Sequence, residues 1–156
     1  VDPRRPRRIE PAPTPRSRVP RFDGGEKRTG AKVVSHAGFD YVVYPSDEAW
    51  SHPELHSLLT VHDLASGLEA DPIATLPLAT PYEVEAALLE LGGRALLLAS
   101  SRAPGLHVVA LDDPAAPRVV GHVDLPGHAE AIAVAGDLVH VALGWTGLVV
   151  LRARGE

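Results

Sequence analysis

The chain has 156 residues, 45% of them apolar but only 4% aromatic, and a net charge of −5. That suffices for one domain with a core of Leu, Val and Ala, and is neither disordered nor strongly charged by composition. The absence of cysteine excludes disulfide frameworks, thiolate metal sites and thiol nucleophiles, and no apolar run approaches the roughly 18 residues that span a bilayer.

Residues 1–29 form a basic, Pro-rich arm with nine basic and four acidic side chains, while the remainder carries six basic against 16 acidic, a net −10. Such arms can contact nucleic acid or an anionic membrane. Within residues 1–21, however, no aromatic side chain interleaves the arginines as a stacking platform. A solvated segment lying on the acidic body, or linking to something upstream, is the simpler reading.

Beyond the arm, Pro and Gly punctuate short β-rich runs, which predicts an all-β fold. A strand at 31–36 turns into HAGFDYVVYP (36–45), and an insertion, YPSDEAWSHPELHSLL, precedes LLTVHDL (58–64) and ADPIATLPL (70–78). Residues 84–89 and LGGRALLLAS (91–100) repeat the hairpin, followed by GLHVVALD (105–112) and DDPAAPRVVGHVDLP (112–126). A third hairpin joins 129–134 to VAGDLVHVAL (134–143), and GLVVLRA (147–153) closes the series. Glycine in each turn supplies the positive φ that tight hairpins need. In DDPAAP, Asp113 bonds its own turn and Pro114 presets φ.

The segments therefore repeat three times, with corresponding strands about 55 and then about 43 residues apart, in the range for four-stranded propeller blades. The opening VDPRRPRRI matches the Asp113 turn: Asp2, Pro3, Pro6, Arg7 and Ile9 align with Asp113, Pro114, Pro117, Arg118 and Val120. An outer strand at 6–10 is expected on that basis, with the chain beginning inside a repeat.

Residues 105–152, GLHVVALDDPAAPRVVGHVDLPGHAEAIAVAGDLVHVALGWTGLVVLR, closely resemble the LVIVD-repeat family of bacterial and archaeal β-propellers. The resemblance is good over 82–153 and weaker over 31–81, where the turn after Leu64 departs from the family's Asp-Pro form. It implies about three blades of four antiparallel strands within residues 30–156. Such a partial propeller needs completion by another copy, as a homo-oligomer, or by remaining blades of a parent protein, since a three-blade arc leaves two faces bare. A barrel or sandwich is the alternative. The resemblance also implies a lean towards secreted or cell-surface placement, and it is nearly silent on activity.

In a propeller the first strand of each blade lines the channel. Aligning 31–36, 84–89 and 129–134 puts Lys32, Glu85 and Glu130 at one position, with Glu83 and His128 two residues earlier. Converging carboxylates and a histidine can hold a cation or act as acid and base; the competing reading is solvated strand ends. In the insertion, His52 and His56 stand four apart, a spacing that puts two imidazoles on one side of a helical turn as a divalent-metal site. Ser51, Pro53 and Glu54 suit the start of such a turn. Trp50, Arg102 and Trp145 fall in corresponding loops and would form a partner or ligand patch. Ser35, His36 and Asp40 contain the residue types of a triad but crowd one hairpin, and no P-loop or GxSxG elbow is present. Two functions follow: a module for protein–protein interaction or self-assembly, or an enzyme or metal-binding protein whose site forms at the channel mouth.

Overall fold

The computed structural model describes residues 31–45, 57–66, 70–80, 84–101 and 103–155. The basic arm, its expected outer strand at 6–10, and Trp50, His52, His56, Glu83 and Arg102 lie outside the described residues.

The fold is all-β, and its three sheets are antiparallel and follow one another along the chain. Sheet 1 holds β1 (Lys32–His36), β2 (Phe39–Pro45), β3 (Ser57–Asp63) and β4 (Ala74–Leu78). Sheet 2 holds β5 (Ala86–Leu91), β6 (Arg94–Ser100), β7 (Gly105–Ala110) and β8 (Arg118–Asp124). Sheet 3 holds β9 (Ala131–Ala135), β10 (Leu138–Ala142) and β11 (Leu148–Arg152), with a 3₁₀ turn at Gly144–Thr146. Within each sheet every strand pairs with its sequence neighbour. Among the described residues no helix is long and apolar enough to cross a membrane.

The expected turns form. His36 pairs with Phe39, Leu91 with Arg94 and Ala135 with Leu138, so each first hairpin closes with two residues. Ala37–Gly38 and Gly92–Gly93 both take positive φ at both positions, the conformation whose twist matches the flanking strands. After β7, Asp113 accepts from the Ala115 amide at 2.9 Å. The turn after β3 makes the same bond, from the Ala65 amide to Asp63 at 2.9 Å. Leu64 stands where Pro114 does, so the aspartate alone sustains the turn.

The sheets stack in one repeated sense. Val34, Tyr41, Val43, Leu59 and Val61 of sheet 1 pack on Leu88, Leu97 and Val109 of sheet 2. The opposite face of sheet 2, with Leu89, Leu98 and Leu106, packs on Ile132, Val139, Val141 and Val149 of sheet 3. Sheet 2 is thus covered on both sides, which explains why β6 reads as the continuous apolar run ALLLA rather than alternating. Between sheets, backbone approach concentrates on the first strands, β5 lying against both β1 and β9. The sheets therefore converge at their first strands and spread outwards.

Candidate functional site

Topology gathers the sequence-derived candidates at one end of the stack. The start of each first strand, the end of each second and the start of each third meet there. Lys32 opens β1, Glu85 precedes β5, and Glu130 precedes β9.

Counting back from the two-residue turns places Lys32 on the rung of Ala87 and Ala131. Glu85 and Glu130 therefore stand two and one residues before that rung, and the expected single equivalent position does not hold. The side chains nevertheless meet in part: Lys32 Nζ lies 2.8 Å from Glu85 Oε1. At the other end of β1, His36 Nδ1 lies 3.3 Å from Glu90 Oε1. These two pairs clamp the first strands of sheets 1 and 2 at both ends. Glu85 is further fixed by its amide, which donates to Ser100 Oγ at 2.9 Å.

Glu130 sits differently. Its amide donates to the Ala142 carbonyl at 2.8 Å, and its carboxylate lies over Gly144, where a β-carbon would collide with it. Trp145, the next residue, is fully exposed on the 3₁₀ turn. His128 is exposed in the preceding turn. Among the described residues no three His, Asp or Glu side chains come together as a metal set, so Glu85, Glu130 and His128 do not converge as ligands. Ser35 Oγ donates to Asp40 Oδ1 at 2.5 Å, while His36 alternates to the other face of β1. That arrangement aims the hydroxyl at the carboxylate and away from the imidazole, which is not a nucleophile–base pair.

Sequence reasoning expected bare terminal faces without saying which residues line them, and the outer face of sheet 3 is uncovered among the described residues. Ala131, Ala133 and Ala135 of β9, Leu138, His140 and Ala142 of β10, and Leu148, Val150 and Arg152 of β11 form it, and Leu148 and Val150 are 64% and 50% exposed. Beside it, β11 is an edge strand among the described residues. A cavity of about 330 Å³ lies between sheets 2 and 3, lined by Leu98, Leu106, Val108, Val123, Leu151 and Arg154 among others. It opens where sheet 2 has β8 and sheet 3 has no described strand beyond β11.

The fold is all-β, three antiparallel sheets of three or four strands, with the outer face of the third uncovered among the described residues. Comparison with protein-family models, curated proteins and solved structures returns no match.

Proposed function

We propose that the three sheets are consecutive blades of an LVIVD-type β-propeller and that the chain is a module for self-assembly through blade faces. The observation that carries this reading is the outer face of sheet 3, where Leu148 and Val150 are exposed and β11 has no partner on its far side among the described residues. The same face-to-face relation occurs twice inside the chain, sheet 1 on sheet 2 and sheet 2 on sheet 3. The natural cover for a third such face is another sheet of the same kind, and a second copy carries three. The approach of β5 to both β1 and β9 supports a wedge arrangement of the kind a ring about a central axis uses.

Light scattering behind a sizing column tests the reading. The unaltered full chain should elute with the mass of two copies, and Val150→Glu, which places a charge on the open face, should return it to one. A well-folded single copy at high concentration, unchanged by Val150→Glu, would count against a shared ring and favour a self-contained sandwich.

A further inference from the structure

Three of the chain's histidines lie in described strands away from the Lys32–Glu85 pair and off the outer face of sheet 3: His62, His107 and His122. Two of these, 15 residues apart in sequence, are brought together by register. His107 on β7 is the direct cross-strand partner of His122 on β8, and their ring centroids are 5.6 Å apart.

A bulge produces this pairing. From Ala110 opposite Arg118 to Val109 opposite Val119 the ladder runs regularly, and then it shifts by one residue so that Val108 faces Gly121. Without that extra residue His107 would face Gly121, and His122 would face Leu106 and point to the other side of the sheet. One inserted residue thus re-aims the second imidazole onto the first, a known use of bulges.

Hydrogen bonding then fixes which nitrogens are free. His107 Nε2 is 2.8 Å from the Ala79 carbonyl oxygen, which can only accept, so Nε2 carries the proton and Nδ1 keeps its lone pair. His122 Nδ1 is 3.1 Å from Asp124 Oδ1, so the ionised carboxylate accepts and Nε2 of His122 keeps its lone pair. Carbonyl–His and carboxylate–His contacts of this kind orient metal-binding imidazoles and raise their basicity. Gly105, opposite Asp124 two rungs away and on the same face, makes room. A β-carbon there would strike the Val123 carbonyl and the Cε1–Nε2 edge of His122. The free nitrogen of His122 therefore leans over β7, the strand that carries His107.

We propose that His107 and His122 form a two-imidazole site for a late divalent transition-metal ion, bound through Nδ1 of His107 and Nε2 of His122. Water completes the coordination, since among the described residues no third His, Asp or Glu joins the pair as a metal set. Imidazole nitrogen selects Cu²⁺ and Zn²⁺ over Mg²⁺ and Ca²⁺, and Cu²⁺ binds such a site most tightly. The pair stands at the same end of the stack as Glu85 and Glu130, on the face of sheet 2 turned towards sheet 1.

The test titrates Cu²⁺ alone into the full chain, purified without a histidine tag, and follows it by calorimetry and electron paramagnetic resonance. One Cu²⁺ should bind with a nitrogen coupling pattern of two imidazoles. His122→Ala, on an edge strand, should weaken it by about tenfold or more while far-ultraviolet circular dichroism stays unchanged. Asp124→Asn, which leaves both ligands in place, should weaken it by about tenfold through loss of the orienting carboxylate. His140→Ala should have no effect. Absence of binding below millimolar Cu²⁺ would overturn the site. So would binding that survives His122→Ala and disappears in His52→Ala/His56→Ala.

Discussion

Leu148 offers the sharpest energetic test of the open face. Its 64% exposure means that about a third of its surface is already covered by the chain itself. Full burial of a leucine side chain contributes about 1.5–3 kcal/mol, so the covered third accounts for about 0.5–1 kcal/mol and the open remainder for about 1–2 kcal/mol once a second copy covers it. Leu148→Ala should therefore lower unfolding free energy by about 0.5–1 kcal/mol in dilute solution, rising to about 2 kcal/mol where copies associate. Urea denaturation at two protein concentrations a hundredfold apart reads both numbers, with the midpoint of the unaltered chain itself rising with concentration. An identical cost at both concentrations would refute the idea that another copy covers this face.

Leu97 is the matched control, fully buried between sheets 1 and 2. Leu97→Ala should cost about 2–5 kcal/mol at any concentration, and a cost under about 1 kcal/mol in urea titrations would contradict the packing described. Tyr41 supplies a pH signature. Burial raises its phenol pKa above the usual 10, and the carboxylate of Asp113 adds to that rise. The folded state thus holds this proton more tightly than the unfolded chain, so the associated stability is intact below pH 10 and is lost as pH rises beyond it. Tyr41→Phe should flatten the fall in thermal midpoint between pH 9 and pH 11; a fall of the same size in both proteins would show that Tyr41 is not its source.

Much of the architecture is legible in the residues because it is local. The Ala37–Gly38 and Gly92–Gly93 turns and the Asp113 side chain each act within a few positions, and the strands between them follow. The sequence also marks sheet 2 as buried, through the unbroken ALLLA of β6. Bare terminal faces follow from the repeat count, but which residues of the last sheet line one is not legible in the same way. GLVVLR at β11 and GLHVVA at β7 have similar apolar content, and only the presence or absence of a neighbouring sheet separates buried Leu106 from exposed Leu148.

The candidate site divides along the same line. Placing Lys32, Glu85 and Glu130 near the starts of the first strands needs only the repeat. Their exact rungs depend on turn counts, and the capture of Glu85 by Lys32 depends on how sheets 1 and 2 meet. The His107–His122 pair was hidden for a different reason. A single bulged residue decides which side of β8 His122 occupies, and alternation read along the sequence assumes no bulge.

The repeated stacking also gives the molecule a direction. Sheet 1 presents to sheet 2 the face equivalent to the one sheet 2 presents to sheet 3, since Val34, Leu89 and Ala133 are corresponding residues two positions before their turns. The chain therefore has a leading end at sheet 3 and a trailing end at sheet 1, and the two are not interchangeable. Growth that continues the same relation is head-to-tail, so each added copy again exposes one leading end. Such a series terminates only when rotation from sheet to sheet brings the first trailing end back to the last leading end. Otherwise it continues as a fibre, and the wedge between neighbouring sheets, set by side chains such as Leu88 and Leu97, becomes the quantity that selects between a closed particle and an open polymer.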